Sequence, residues 1–339
     1  MDQLLWLLAF ALTAVPVGGL LLDRLFDVPA RRYFAILGVP WTVAVLVVIA
    51  TSPLSPIGPL VLWGAVGGII GTVALDAVRL VGVRAGAFPL DMPTMFGILL
   101  AGLAPALQRN LIARMVEVTA ALPDGDRRRA LAPRIAAMGR LSEGRRSIVA
   151  AGMFAGLSRL PEELRQAMLS TQLALLATGP AETRQAVMGT MTRAMSGSLV
   201  VPYGQPRGMP QVPMAAFRSL AEVALARTVD ETGVTWRRIH GYGYGWHVLM
   251  GATFGAQYTL LVGAGSLPLA ILWGTFVWLG MMVVMPPMMP MIRFPAWFPV
   301  VPFVAHIAFV LPIAWVALVF LPHAATAGSL LGLLGTTAR

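Results

Sequence analysis

An all-α polytopic membrane protein is the fold class predicted here: about six transmembrane helices, a short interfacial or re-entrant helix, and an inserted soluble domain of 19-residue helical repeats. Three observations predict it. Hydrophobic residues make up 57% of the 339 and charged residues only 12%, against roughly 25% charged in soluble domains. Several uncharged runs are long enough to cross a bilayer, since about 20 residues at 1.5 Å each cover a hydrocarbon core of ~30 Å. A polar middle segment repeats itself at a fixed interval. The apolar runs do not alternate, so they are not barrel strands.

The spans are expected at 4–22, 33–52, 57–78, 245–264, 268–287 and 300–321. Asp2 stands where a leader peptide would be basic, so 4–22 reads as a first span rather than a cleaved signal. Trp6, Trp41, Trp63, Trp246, Trp297 and Trp315 lie in or near these runs, as residues that favour headgroup level do. The segment 92–107 is too short and too rich in proline (Pro93, Pro105) to count as a seventh span. It reads as interfacial or re-entrant. With six crossings, Arg24, Arg31, Arg32, Arg79, Arg84 and Arg293 fall on one side with the arginine-rich middle. The other side receives Asp2, the neutral loop 53–56, the turn near Gly265 and a tail with only Arg339. That is a positive-inside pattern. It places both termini in the periplasm and the repeat domain in the cytoplasm of a bacterial inner membrane. The expected domains are 1–107, a membrane part; 108–242, the repeat domain; and 243–339, a second membrane part.

Composition removes several chemistries. There is no cysteine, hence no disulfide or thiolate site. All 25 basic residues are arginine, which excludes a lysine Schiff base or a P-loop lysine. The net charge of +10 is concentrated in 108–242, where 18 Arg face 10 Asp plus Glu. Anionic lipid headgroups next to an arginine-rich cytoplasmic face account for it, and nucleic acid is not expected as a partner.

The repeat occupies about 122–197. Pro123, Ser142, Pro161 and Pro180 are 19 residues apart, and so are Arg127, Arg146, Arg165 and Arg184. Two apolar columns keep the same register: Leu131, Ala150, Leu169, Met188 and Met138, Leu157, Leu176, Met195. Proline suits the first helical turn, where its missing N–H would be unpaired anyway. The acids that follow it favour the helix N-terminus. Each unit is then a helix of about 14 residues, ~21 Å long, stable only when stacked on its neighbours. The array is either a docking surface for a protein partner or a compact cap that covers the membrane domain or self-associates. Residues 198–215, rich in proline and glycine, form a linker. A last polar helix, about 215–232, precedes the fourth span.

Ionisable residues inside apolar spans are costly and are candidates for function. Here they are Asp76, His247 and His306, with Asp91 just outside. His247 shares a helix face with Gly251, Gly255 and Tyr258. Gly251 and Gly255 form a small-xxx-small pair for close helix packing, which points His247 into the bundle. Three chemistries follow. Asp76, Asp91, His247 and His306 offer ligands to a transition metal. His247 and His306, at matched depth, offer axial ligands to haem b. Asp76 with the histidines offers a proton or solute path. Beside these stands the plain reading. Asp76 pairs with Arg79, Asp91 caps the helix that begins at Pro93, and the histidines bond carbonyls. Met281, Met282, Met285, Met288, Met289 and Met291 are then packing filler or, on the metal reading, soft donors. No catalytic residue is assigned. The cofactor is therefore none, haem b or a transition metal.

The runs "GGIIGTVALDAVRLVGVRAGAFPLDMPTMFG" (67–97), "WHVLMGATFGAQYTLLVG" (246–263) and "WGTFVWLGMMVVMPPMM" (273–289) resemble bacterial inner-membrane proteins of the YagU-like and related kinds. The resemblance implies a membrane bundle without a known reaction. The repeats interrupt that pattern between the Asp-Met-Pro turn and the His-bearing span, which suggests a partner-binding job. The expected function is a non-catalytic accessory subunit that anchors the array in a larger membrane assembly, such as a respiratory one. The partner would be another protein or a second copy. The alternatives are a small transporter or channel for a metal ion or other solute, and a haem or metal redox subunit.

Overall fold

The computed structural model describes residues 2–51, 57–321, 326 and 329–332. The expected loop 53–56, His323 and Arg339 lie outside the described residues. The chain is all-α. It begins with α1 (Asp2–Phe26), α2 (Ala30–Tyr33), a π-helical turn (Phe34–Gly38), α3 (Val39–Thr51), α4 (Ile57–Arg84) and α5 (Met92–Leu100). It continues through α6 (Ala104–Ala120), α7 (Asp124–Arg140), α8 (Glu143–Ser158), α9 (Glu162–Thr178) and α10 (Ala181–Met195). Then come a short strand β1 (Val212–Pro213), α11 (Met214–Thr232), α12 (Trp236–Val262) and α13 (Leu267–Met288). A second strand, β2 (Ile292–Arg293), precedes α14 (Val300–Phe320).

Two compact units form. One takes the described residues of Met1–Ala101, Arg237–Met285 and Ala296–Arg339; the other takes Gly102–Trp236 and Pro286–Pro295. The loop 286–295, expected inside the second membrane part, belongs to the other unit. The reason is a parallel pairing of two residues, Val212 with Ile292 and Pro213 with Arg293. Met288, Met289 and Met291 are buried there, so they serve as packing.

Among the described residues, five stretches are long and apolar enough to cross a membrane: Leu4–Phe26, Ala30–Ile49, Ile57–Arg84, Leu267–Met288 and Val300–Phe320. Each overlaps an expected span. The sixth, 245–264, lies in helix α12 but is not among the five. Its middle carries Thr253, Gln257 and Thr259, all buried, so the helix is covered by protein and need not be oily all round. The segment 92–107 is two helices. Gly102, at φ 73° in the left-handed region, separates α5 from α6.

The core of the first unit is set by helix α4. A Cβ on its Gly64 would lie 2.1 Å from Thr259 Oγ1, and one on Gly68 would lie 2.0 Å from the carbonyl oxygen of Gly251. From the other side, a Cβ on Gly255 would sit 2.1 Å from the Gly64 carbonyl oxygen. The backbones of α4 and α12 therefore touch. A second glycine edge of α4 meets α14: a Cβ on Gly71 would lie 2.3 Å from the Phe309 carbonyl oxygen. Close approach lets the Thr259 hydroxyl donate to the Leu60 carbonyl at 2.6 Å. Trp6 of α1 donates to the Leu260 carbonyl at 2.9 Å.

In the second unit, helices α7 to α10 begin at Asp124, Glu143, Glu162 and Ala181, each 19 residues after the last. Helices of 15 to 17 residues are slightly longer than the spacing suggested. The prolines stand one step earlier than expected, at the N-cap, with extended backbone and no side-chain cap. Helix α6 packs between α8 and α11, while α7 lies against α9 and α10. Here too glycines permit contact: Gly152 and Gly156 of α8 meet Ile112 and Val116 of α6.

The arginine column has a structural job. Arg127 donates through Nη1 to the carbonyls of Ala120 (3.3 Å) and Leu122 (3.1 Å), at the end of α6. Arg146 donates to those of Met138 (3.2 Å) and Gly139 (3.4 Å), at the end of α7. Arg184 donates to that of Ala177 (3.2 Å), at the end of α9. Each caps the helix before its own, where orphan carbonyls and the dipole favour a cation. Arg165 pairs instead with Glu162.

Two predictions follow from this packing. Gly68→Ala must separate two backbones and lowers thermal stability in detergent by about 1–3 kcal/mol or more. Gly245→Ala, inside α12 where an added Cβ meets nothing within 4 Å, raises stability by about 0.5–1 kcal/mol. Arg146→Ala lowers stability by about 1.5–3 kcal/mol, as for hydrogen bonds from a charged donor. Arg165→Ala, an exposed pair, costs no more than ~1 kcal/mol. Equal losses for the two arginines in a thermal melt would contradict the capping role.

Candidate functional site

Four ionisable side chains of the apolar unit, Asp76, Arg79, Asp91 and His247, meet at one place, while buried Asp23 accepts from the Ala30 N–H elsewhere. Asp76 and Arg79 are three residues apart on α4 and so share a face. Asp91 is the N-cap of α5. Its Oδ2 accepts from the backbone N–H of Thr94 at 3.2 Å and from the Thr94 hydroxyl at 2.8 Å. Tyr244 and His247 are three apart on α12. The seam of Gly68, Thr72, Gly251 and Gly255 continues toward the end of α4, and the next residues along it are Asp76 and His247.

Arg79 is the hub, with a side chain only 3% exposed. Its Nε donates to Asp76 Oδ1 at 2.8 Å, and its Nη1 pairs with Asp91 Oδ1. Its Nη2 lies 3.4 Å from the Tyr244 hydroxyl. His247 Nε2 is 3.0 Å from the same Asp76 oxygen. The network thus ties α4, α5 and α12 together, with one arginine serving two carboxylates. A buried carboxylate needs such partners, because an unpaired charge in a medium of low dielectric is far costlier. Formally the two acids and one arginine leave one negative charge.

The four residues considered as metal ligands divide. Asp76 and His247 come together, and Asp91 joins Asp76 only through Arg79. His306 does not join a carboxylate: it is buried on α14 and bonds through Nδ1 to the Pro302 carbonyl one turn earlier, at 2.7 Å. Among the described residues, no three His, Cys, Asp or Glu side chains form a group able to hold a metal ion. Arginine between two carboxylates occupies the place a cation would take. Gly251 and Gly255 face α4. Tyr258 is buried, with its hydroxyl 3.3 Å from the Ser266 carbonyl.

The second unit holds an ionic cluster that no spacing announced. Asn110 and Glu117 of α6, Arg159 after α8, and Arg227, Thr228 and Glu231 of α11 converge. Arg227 donates to Glu117 at 2.6 Å, and Arg114 at 3.0 Å. Arg159 and Arg109 reach Glu231 at 2.5 and 2.8 Å. Burial alone would raise the pKa of Glu117, but the bonds from Arg227 and Arg114 hold it below the ordinary carboxylate range. Two of these contacts, Arg227 to Glu117 and Arg109 to Glu231, join residues over a hundred positions apart. The arginine column did carry a readable signal: a cation in the first turn of its own helix opposes that helix's dipole and must find negative charge elsewhere.

Comparison of the chain with protein-family models, curated proteins and solved structures finds no match.

Removing the hub should cost more than removing a spoke. Arg79→Gln leaves two carboxylates facing each other in an apolar site and is expected to cost about 3–5 kcal/mol. Asp91→Asn, which keeps an oxygen for Thr94, costs less. Thermal melts of the purified protein check the order, and an Arg79→Gln protein as stable as the parent would contradict the hub role.

Proposed function

We propose that the chain is an integral membrane subunit, multi-pass in a bacterial inner membrane, that anchors a cytoplasmic helical array. Through the array it docks a protein partner in a larger membrane assembly, such as a respiratory one. The membrane part of this reading is supported by long apolar stripes that face outward. On α13, Leu272, Phe276, Leu279 and Val283 form one such stripe, and Val283 is 76% exposed. Water would make that stripe an aggregation site, whereas lipid covers it at no cost.

One observation carries the docking part: the array has an open end. In its first two units the apolar columns are buried at Leu131, Ala150, Met138 and Leu157. In the last two, Leu176 is still buried, but Leu169 and Met188 are exposed, and Leu173 beside them is 53% exposed. Helical arrays normally close with a repeat whose outer face is polar. Helices α9 and α10 offer apolar side chains instead, as a surface that meets another protein does. The metal and transport readings gain no comparable support, since Asp76 and Asp91 are engaged by Arg79, Thr94 and His247; nor does the haem reading, since His247 bonds Asp76 and His306 bonds the Pro302 carbonyl.

The test replaces Leu173 and Met188 together by glutamate in the native host. Native electrophoresis of gently solubilised membranes then reports the size of the particle that carries the chain. Docking through α9 and α10 predicts a smaller particle with the amount of chain unchanged. A mass difference of one chain would identify the partner as a second copy. Unchanged migration would overturn the proposal.

A further inference from the structure

One corner of the helical unit combines exposed apolar residues with unpaired cations. Glu143 at the start of α8 pairs with Arg193 near the end of α10, at 3.0 Å. The chain leaving α10 then returns to α8: a Cβ on Gly144 would lie 3.1 Å from Pro202 Cγ. A little further on, Gly208 meets Leu141 Cδ2 at the same distance. Residues 195–202 are thus held at the turn between α7 and α8. There Met195 and Val201 are exposed, and Val200 is 80% exposed. Arg140 and Arg145 flank the turn. Among the described residues neither takes part in an ion pair or a side-chain hydrogen bond, and the turn's one acid, Glu143, is taken by Arg193.

Apolar side chains that stand in water next to unneutralised arginines suit the boundary layer of an anionic bilayer. The hydrocarbon enters among the acyl chains while the guanidinium groups meet lipid phosphates. A soluble partner would have to match both features at once; an anionic membrane surface presents both everywhere. We propose that this corner is a lipid-binding site: Val200 and Val201 insert into the headgroup region, and Arg140 and Arg145 bind anionic phospholipid. The inference rests on the reading of the apolar unit as membrane-embedded, which brings a bilayer to the chain.

The absence of cysteine makes the test clean. Val200→Cys in the full-length protein is labelled with an environment-sensitive fluorophore and placed in nanodiscs of neutral or phosphatidylglycerol-containing lipid. Val201→Cys is a second label site, and Gln185→Cys, exposed on α10, is the control. The expected result is blue-shifted, quencher-protected emission at position 200 or 201 in anionic discs only, with position 185 in water throughout. Arg140→Gln and Arg145→Gln should each lower the lipid-engaged fraction about fivefold, the weight of one cation near an anionic surface. Water-like emission at 200 and 201 in anionic discs that retain the chain would overturn the proposal. So would protection independent of lipid charge and of both arginines. Protection in native membranes but not in discs would assign the corner to a protein and likewise overturn it. Failure of the chain to enter discs at all would instead refute the membrane reading beneath it.

Discussion

Backbone contact between α4 and α12 is the constraint on which the first unit depends. Two helices carrying ordinary side chains keep their axes about 8–10 Å apart. Here Gly64 and Gly68 meet Gly251 and Gly255, and helix touches helix. Within that distance the Thr259 hydroxyl reaches the Leu60 carbonyl. Antiparallel helices advance together, so the residues that follow the glycines along the seam are aligned as well. Asp76 meets His247 because Gly68 meets Gly251. Arg79 and Tyr244 follow one turn later, and Asp91 closes the group from α5. The seam also explains why α12 is less oily than its neighbours: a helix whose faces are covered by protein can carry threonine and glutamine.

The helical unit is held by a different device with the same logic. Its helices are short, and short helices are limited by unpaired groups at their ends. Arginine at the same place in successive repeats carries a cation back to the carbonyls of the preceding helix, at Ala120, Met138 and Ala177. The arginine column is in large part a set of clamps between units. What remains outward is apolar, at Leu169, Leu173 and Met188.

Much of this was legible from residues alone, where periodicity or spacing is local. Long uncharged runs marked the apolar helices, and exact 19-residue columns marked α7 to α10 to within a few residues. A pair three residues apart, Asp76 and Arg79, was legible as an ion pair. What escaped was non-local. Nothing in "MIR" announces that Ile292 pairs with Val212, since a two-residue parallel bridge has no periodicity, and residues 286–295 group with the helical unit. The reach of Arg79 to Asp91 depends on a turn whose course local propensities do not define. For α12, its glycines were read as a packing face but its polar residues were not weighed as a sign of burial by protein.

The central claim is that the outward apolar side of the glycine-seamed bundle faces lipid. Spin labels on single cysteines at Ile69, Val73 and Val81, all exposed on α4, test it in nanodiscs through collision with oxygen, which partitions into lipid, and with a water-soluble nickel chelate. A lipid-facing α4 gives high oxygen and low nickel accessibility at Ile69 and Val73, with nickel contact rising only toward Val81 near the charged end. High nickel accessibility at all three positions would place this surface in water and contradict the claim.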